Sequence, residues 1–411
     1  MPSSAANSGN GNQIVERALC RLIRGHGPIS FAQFMQTALY HPRGGYYTKS
    51  ASLGRDGDFT TSPEIHPAFG AAVGAFAAHV WRATGNPRLF TLVEVGGGTG
   101  RLAKDLLDST RRGDPLFYES LKYVMVEISP AMRRLQRGVL NVAHAGKVVW
   151  RKPWTGRGWP VVGCVISNEV VDALPFHRVV MKSGRLLELC VGINGKGFVE
   201  VLRRPGKAVS RYLEVAGAAL HEGQAAEARP AAAEWVRAVA SKIARGCVLT
   251  VDHGYESDEL YGGRFPRGTL MCYWRGTMCS DPLQRAGSQD ISARVDFTAL
   301  RREGAAAGLT ALPLMTQRDF LRRLGVGRLL EQLRSAAIPA EERAKERRAL
   351  LALLDPEGLG NCKVLVQHKG LSSEELHVLA DLERAGGSLT PHAYRSAPTK
   401  RSWQDWQGAE V

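Results

Sequence analysis

The residues with the clearest chemical potential form a glycine-rich turn and two carboxylates. In Val93-Glu94-Val95-Gly96-Gly97-Gly98-Thr99-Gly100, an acidic residue precedes a run of glycines. Glycine lets the backbone turn tightly and approach a ligand, and a following helix presents free N–H groups. In Val126-Glu127-Ile128, a second carboxylate could accept hydrogen bonds from both hydroxyls of a ribose. These segments predict ligand contacts by Glu94, Gly96, Gly98, Gly100, Glu127 and Ile128.

The ligand predicted from these residues is S-adenosyl-L-methionine. GGGTG fits a dinucleotide fingerprint only at its first spacing, because Arg101 occupies the place of the last glycine. Glu94 also favours a ligand with positive charge, such as the sulfonium and amino groups of this cofactor. A nucleotide site and a purely structural turn remain the alternatives.

A second group of polar residues follows another predicted strand, in Asn168-Glu169-Val170-Val171-Asp172-Ala173-Leu174-Pro175. Ligands of open parallel sheets lie across the carboxyl ends of the strands, so Asn168, Glu169 and Asp172 are expected to face one crevice. We expect Asn168 to contact the cofactor. Glu169 and Asp172 are candidate catalytic residues. A structural role for Asp172, as the cap of a short helical turn, is an equally weighted alternative.

The loop that carries Thr61-Ser62-Pro63-Glu64 adds a third candidate carboxylate. The loop could fold over the cofactor as a lid, with Ser62 and Pro63 as cofactor contacts and Glu64 as a catalytic residue in reserve. Asp252, at the end of a later predicted strand, is a further candidate in reserve for the carboxylates that would hold the acceptor. The alternative for Glu64 is a helix start, where a carboxylate complements the helix dipole.

The elements that must position these residues are predicted to be alternating strands and helices. Strands are predicted in LFTLVEV, KYVMVEI and VVGCVISNE, each followed by a turn or a helix. This alternation predicts an α/β fold with a parallel sheet covered on both faces. After His177 the pattern changes to antiparallel hairpins. Near the end, LTALPL and NCKVLVQHK flank a basic amphipathic helical segment, Gln317 to Leu354.

This pattern predicts four segments along the chain. Residues 1–12 are expected to form a flexible tail and residues 13–88 a helical and lid segment. Residues 89–370 would form a Rossmann-like core with insertions at about 177–230 and 253–290. Residues 371–411 are expected to form a C-terminal helix and tail.

Composition restricts the class of protein. The 411 residues are ordinary in apolar content, but 54 Lys and Arg against 39 Asp and Glu give a net charge of +15, which suits an anionic partner. The seven cysteines are scattered, without zinc or disulfide spacing. We expect no metal and no membrane span, and the absence of a leader pattern predicts a cytoplasmic bacterial protein.

Several strings together resemble a known family. They are HPRGGYYT, GDFTTSPEIHPAFG, VEVGGGTG, NEVVDALP, VDHGYE, GTLMCYWR, GSQDISARVDFTAL and KVLVQHKG. They occur in the order seen in MidA-like proteins, the S-adenosylmethionine-dependent methyltransferase family that includes the mitochondrial complex I assembly methyltransferase. The resemblance covers roughly Ile14 to Gly370. It implies a class I (Rossmann-like) methyltransferase fold with an N-terminal extension and insertions, and symmetric dimethylation of an arginine in a partner protein.

The sequence departs from the family pattern near the predicted acceptor site. Val170 and Val171 stand where two phenylalanines are usual, His253 replaces a common Tyr, and Arg294 replaces a His. The function that the resemblance implies is methyl transfer to an arginine of a partner protein. If the acceptor is a guanidinium, Glu169 and Asp172 are candidates to clamp it through bidentate hydrogen bonds. The alternatives are a small-molecule O- or N-methyltransferase and a non-catalytic assembly chaperone that retains the fold. Nucleic acid is not an expected acceptor, because no base-flipping motif is present.

Overall fold

Alternating helices and strands form most of the computed structural model, which describes residues 6–48, 60–140, 144, 146–151, 161–195, 197–372 and 374–375. The helices are α1 (Ala6–His26), α2 (Phe31–Tyr40), α3 (Ser62–Ile65), α4 (Ala68–Ala83), α5 (Arg101–Gly113), α6 (Pro115–Ser120), α7 (Pro130–Leu140), α8 (Lys207–Ala216), α9 (Pro230–Ala240), α10 (Ser257–Tyr261), α11 (Phe297–Ala306), α12 (Gln317–Arg323), α13 (Val326–Gln332) and α14 (Ala340–Leu353). The strands are β1 (Phe90–Val95), β2 (Leu121–Val126), β3 (Val148–Arg151), β4 (Val161–Asn168), β5 (His177–Lys182), β6 (Arg185–Asn194), β7 (Gly197–Arg203), β8 (Ala225–Ala228), β9 (Ile243–Asp252), β10 (Gly254–Tyr255), β11 (Met271–Trp274), β12 (Thr277–Cys279), β13 (Asp290–Ser292), β14 (Val295–Asp296), β15 (Thr310–Ala311), β16 (Met315–Thr316) and β17 (Lys363–Lys369).

An eight-stranded sheet forms the centre, in the order β15-β17-β9-β4-β1-β2-β3, with β16 also paired to β17. Strands β3, β2, β1, β4 and β9 run parallel. Strand β17 is antiparallel to β9, and the short strands β15 and β16 are antiparallel to β17. The predicted α/β fold with a mainly parallel central sheet is confirmed.

Helices cover both faces of this sheet, since successive side chains of each strand point to opposite faces. Phe90 and Leu92 of β1 are buried in one apolar cluster with α4 and α5. Val93 belongs to a second cluster on the other face, with Val236 of α9 and Leu300 of α11. The sheet is therefore the middle of three layers, and its carboxyl edge remains available for ligands.

The N-terminal helices pack on the insertions rather than on the central sheet. Phe31 and Phe34 of α2 share a buried cluster with Phe176, Val191 and Ile291. The antiparallel hairpins predicted after His177 are present, in a sheet ordered β7-β6-β5-β8. Helix α4, by contrast, packs on the central sheet, so the segment boundary predicted at residue 88 falls between elements that share one core.

One expectation about the start of the chain differs from the structure, because helix α1 begins at Ala6, inside the predicted tail. The basic helical segment predicted from residue 317 to residue 354 is present as three helices. They are separated because Gly325 adopts a left-handed conformation with φ of 88° and Pro339 precedes α14. Most of the predicted C-terminal helix and tail, residues 371–411, lies outside the described residues.

Candidate active site

The predicted polar residues meet at the carboxyl edge of the central sheet. Glu94 lies near the end of β1, and Glu127 directly follows β2, the neighbouring parallel strand. On the other side of β1, Asn168 ends β4, and Asp252 ends the next strand, β9. The fold therefore brings these side chains together at the place where open parallel sheets bind their ligands.

The glycine turn after β1 has the conformation that its residues predict. Gly96, Gly98 and Gly100 have φ angles of 67°, 50° and 86°. A Cβ atom on Gly98 would meet nothing within 4 Å, so this part of the turn has an open face. A Cβ atom on Gly97 would lie 2.1 Å from Sδ of Met125, so this position has no room for a side chain. The turn thus exposes backbone to the crevice while its other side packs on the sheet.

Glu94 is a buried carboxylate with one short hydrogen bond. Its side chain is only 3% exposed, and the Tyr123 hydroxyl donates to its Oε2 atom at 2.7 Å. Burial raises the pKa of Glu94 to about 7; the Tyr123 hydrogen bond opposes this rise and the charge of Glu127 adds to it. A positively charged ligand nearby would favour the carboxylate form.

Glu127 is held by groups on and before α7. The Ser129 N–H donates to its Oε1 atom at 2.8 Å, and Gln136 Nε2 donates to its Oε2 atom at 3.1 Å. Burial raises the pKa of Glu127, and these hydrogen bonds oppose the rise. Ile128, the next residue, is 43% exposed and offers an apolar surface beside the carboxylate.

Gln136 is a site residue that sequence reasoning missed. Besides Glu127, its Nε2 atom donates to the Gly98 carbonyl at 2.8 Å, and its Oε1 atom accepts from Trp150 Nε1 at 3.0 Å. It therefore ties the glycine turn to the acidic residue after β2. A signal was present: Gln136 shares the i, i+4, i+8 stripe of α7 with Met132 and Leu140, so a polar residue falls on the apolar face.

Glu169 occupies a strained position just after β4. Its φ is 50°, which is uncommon for a residue with a side chain, while its N–H donates to the Val251 carbonyl at 2.9 Å. Its Oε1 atom accepts from Asn168 Nδ2 at 3.1 Å and from the Ser62 N–H at 3.4 Å. The side chain is 10% exposed, and burial, reinforced by the charge of Asp172, raises the pKa of Glu169 to about 8.

Asp252 anchors the turn that carries the other candidate carboxylate. Its Oδ2 atom accepts the N–H groups of Val170, Val171 and Asp172 at 3.2, 2.9 and 3.3 Å. Its Oδ1 atom accepts the His253 N–H at 2.8 Å, and the residue is fully buried. Asp252 therefore supports the backbone of the turn after β4. The sequence analysis instead considered it as a reserve candidate for holding the acceptor.

Arg229 is a second residue that sequence reasoning missed. It is 3% exposed, and its Nη2 atom donates to the carbonyls of Asp172 at 3.0 Å and Ala293 at 2.9 Å. Burial raises the pKa of Asp172, and the positive charges of Arg229 and Arg294 oppose that rise. Since Arg229 comes from the segment before α9, no local pattern connects it with the residues after β4.

The Thr61-Ser62-Pro63-Glu64 segment lies against the glycine turn, as the lid hypothesis requires. Glu64 accepts a hydrogen bond from the Thr99 hydroxyl. Ser62 and Pro63 are buried, and the Ser62 hydroxyl donates to Gln317 Oε1 at 2.9 Å. The segment also forms the one-turn helix α3, so its backbone has the helix start that was the alternative for Glu64. Residues 57–59 of the preceding string lie outside the described residues.

The crevice fits a cationic nucleoside cofactor. Gly98 offers open backbone, and Glu94 and Glu127 offer carboxylates at the two sides of the turn. The Oδ1 atom of Asn168 is buried without a hydrogen-bond partner among the described residues, so it can accept one from a ligand. The order of the central strands, the glycine turn after β1 and the acidic Glu127 after β2 together define a class I S-adenosyl-L-methionine-dependent methyltransferase.

Comparison with known proteins gives the family. The chain belongs to a family of S-adenosyl-L-methionine-dependent methyltransferases, whose model matches residues 72–315. It is 30% identical over 380 residues to the protein arginine methyltransferase NDUFAF7, mitochondrial, of Danio rerio, with 87% of each chain covered. The Homo sapiens protein of the same name is 28% identical over 386 residues, covering 86% of this chain and 84% of its own.

Two solved structures from Burkholderia thailandensis share the fold over nearly the whole chain. One, described as a methyl transferase bound to S-adenosyl-homocysteine, is 29% identical with a TM-score of 0.81 and covers 91% of this chain and 96% of its own. A native structure of the same superfamily is 30% identical, with a TM-score of 0.79 and the same coverage. S-adenosyl-L-methionine is therefore the cofactor, as the glycine turn predicts.

The cytoplasmic bacterial location predicted from the sequence is contradicted, because the curated relatives from Danio rerio, Drosophila melanogaster and Homo sapiens are designated mitochondrial. Free cysteines indicate a reducing compartment but do not identify which one. Among the described helices, none is long and apolar enough to cross a membrane. In the same part of the chain, no group of three or more His, Cys, Asp and Glu side chains could hold a metal ion.

Proposed function

We propose that this methyltransferase acts on an arginine side chain of a partner protein. The observation that carries the proposal is the pair of partly buried carboxylates, Glu169 and Asp172, on the turn after β4, where an acceptor would lie beside the cofactor. The names of the curated relatives, protein arginine methyltransferases, support the same acceptor class.

Glu169 and Asp172 suit a guanidinium because burial disfavours the charged form of each carboxylate and raises its pKa. At Asp172 the positive charges of Arg229 and Arg294 oppose this rise, and Glu169 accepts hydrogen bonds from the neutral donors of Asn168 and Ser62. A guanidinium supplies positive charge and planar N–H donors, so it would lower both pKa values on binding. The carboxylates would then fix the plane of the acceptor and localise the lone pair on the attacking nitrogen.

The cofactor supplies the electrophilic sulfonium methyl group. As the new N–C bond forms and the S–C bond breaks, the guanidinium nitrogen must lose one proton. We assign that proton to Glu169: burial raises its pKa above that of an exposed carboxylate, which makes it a stronger base, and the bound guanidinium keeps it in the carboxylate form needed to accept the proton. His253 is a poorer acceptor, since burial and the charge of Arg294 lower its pKa to about 4. Asp172 would hold the acceptor in place.

The cofactor contacts proposed for this site divide along the sheet edge. Glu127 would accept the ribose hydroxyls, with Ile128 packing on the base. Gly96, Gly98 and Gly100 would let the backbone approach the cofactor, and Glu94 would face its cationic end. Asn168, Ser62 and Pro63 would complete the wall, while Glu64, through its bond to Thr99, would hold the lid segment on the turn.

Transfer of label from S-adenosyl-L-methionine tests the proposal. The purified protein is incubated with extract proteins, and labelled proteins are hydrolysed to identify methylated amino acids. We expect labelled methylarginine, lost in Glu169→Gln and in Asp172→Asn while calorimetric cofactor binding persists. Glu214→Gln, on the exposed side of α8, is the matched control and should keep full activity.

Four results would contradict the proposal. Label recovered only in a small molecule would favour the small-molecule alternative, and label recovered in RNA would exclude a protein acceptor. Unchanged transfer by both carboxylate variants would refute the assigned clamp. Absence of any labelled product in extracts depleted of this protein's own activity, with intact cofactor binding, would favour the chaperone alternative.

A further inference from the structure

A basic cleft lies between α12, α13 and α14. It encloses about 890 Å³, which is comparable to the larger ligand pockets of proteins. Five arginines line it: Arg318, Arg322, Arg328, Arg334 and Arg348. This concentration of like charge lies on the helices after β16, on a different part of the molecule from the acidic edge of the sheet.

Most of these arginines lack a counter-charge of their own. Arg318, Arg322, Arg334 and Arg348 pair with no carboxylate within 4.0 Å in the part of the chain that the structure describes. Arginines that share a cleft repel one another, and a bound anion would relieve that repulsion. The cleft therefore has the electrostatics of a binding surface for an anionic partner.

The other lining residues favour an acidic polypeptide over a nucleic acid. Leu351 is 40% exposed and, with Leu330, gives the cleft an apolar floor. Glu331 and Asp355 also lie in its wall, where they are outnumbered by the five arginines. The described lining contains no aromatic ring on which a base could stack. An acidic segment with an apolar side chain can satisfy both the arginines and the floor.

The helices of the cleft also contact the active-site lid segment. Gln317, the first residue of α12, accepts the hydrogen bond from the Ser62 hydroxyl at 2.9 Å. Glu346 of α14 lies 2.9 Å from His66 Nε2, directly after α3. A partner in the cleft would therefore be held on elements that border the site of methyl transfer.

We propose that this basic cleft docks an acidic segment of the acceptor polypeptide. The inference rests on the proposed function for the identity of the partner, but the binding step requires no catalysis. Charge pairing would supply orientation and a fast encounter, while the apolar floor would supply part of the affinity. The acceptor would thereby be selected by a surface outside the crevice.

Fluorescence anisotropy with the full chain tests the docking step. The probe is a fluorescein-labelled peptide of eight glutamates around one leucine. The cleft variant is Arg322→Glu/Arg334→Glu. The matched control is Arg21→Glu/Arg24→Glu, which makes the same charge change on the exposed side of α1. We expect salt-sensitive binding by the wild type, at least tenfold weaker binding by the cleft variant, and less than a threefold change in the control.

Calorimetric cofactor binding verifies that both variants are folded. The proposal is overturned if the wild type does not bind the peptide, if both variants lose affinity equally, or if a single-stranded RNA of equal charge binds more tightly at the same salt. Peptide binding that follows the expected pattern, together with failure to find methylarginine, would refute the proposed function while retaining the acidic docking site.

Discussion

Replacing Gly98 by alanine gives the sharpest test of the cofactor site, because the structure separates its two effects. The φ of 50° makes any side chain there strained, at about 1–2 kcal/mol. The new methyl group would meet no protein atom within 4 Å, so it would project into the open crevice. The substitution should therefore cost little stability beyond the backbone strain, yet occupy space that the cofactor needs.

Gly85, in the turn after α4, provides a matched control. Its φ is 83°, and a Cβ atom there would also meet nothing within 4 Å, but it lies away from the carboxyl edge of the sheet. Gly98→Ala and Gly85→Ala should lower the thermal midpoint by similar amounts. Only Gly98→Ala should raise the Kd for S-adenosyl-L-methionine, by at least about tenfold, which corresponds to about 1.4 kcal/mol.

Isothermal titration calorimetry measures the affinity, and differential scanning calorimetry measures the thermal midpoint. Wild-type affinity in Gly98→Ala would show that the cofactor does not approach the turn at this face. An equal loss of affinity in Gly85→Ala would show that backbone strain, rather than occupied space, weakens binding. Either result would refute the proposed role of the open face.

Three further predictions concern charged and polar groups of the site. Since burial raises the pKa of Glu94 to about 7 and a cationic cofactor favours the carboxylate, affinity measured by calorimetry should rise up to about tenfold from pH 6 to pH 8, and Glu94→Gln should remove this rise. Gln136→Leu should lower the free energy of unfolding, measured with urea, by at least about 2 kcal/mol, because it leaves buried partners unsatisfied; unchanged stability would contradict its linking role. Arg229→Met should shift the rising limb of the pH–rate profile to higher pH, since a positive charge that lowers the pKa of Asp172 is lost; an unshifted profile would exclude this electrostatic role.

The central sheet and its ligand edge could be predicted because they follow from local patterns. Apolar runs that end in glycine or acidic residues mark parallel strands and the turns after them, and parallel strands place their ends along one edge. That reasoning located Glu94, Glu127 and Asn168 without knowledge of any long-range contact. The lid hypothesis depends on the glycine-rich loop that carries Glu64, since Pro63 and Glu64 alone indicate only a helix start.

The missed features depend on contacts between distant parts of the chain. Arg229 donates to the carbonyls of Asp172 and Ala293, and Asp252 accepts backbone N–H groups after β4. These partners are distant in the sequence, so no local spacing of residues predicts either role. Tertiary hydrogen bonds to the backbone depend on the folded arrangement more than on residue type.

The position of β17 has a consequence for the order in which the protein can be completed during synthesis. This strand, the last in the described part of the chain, lies between β9 and β15 and pairs with residues 246–252 of β9, where Lys363 is opposite Asp252. Until β17 leaves the ribosome, β9 has an unpaired apolar edge, although the glycine turn and its neighbouring strands are already present. A nascent or truncated chain would thus have most of the cofactor half of the site while the edge beside the acceptor half stays open to aggregation. Chaperone demand should therefore be greatest in the interval before β17 pairs with β9.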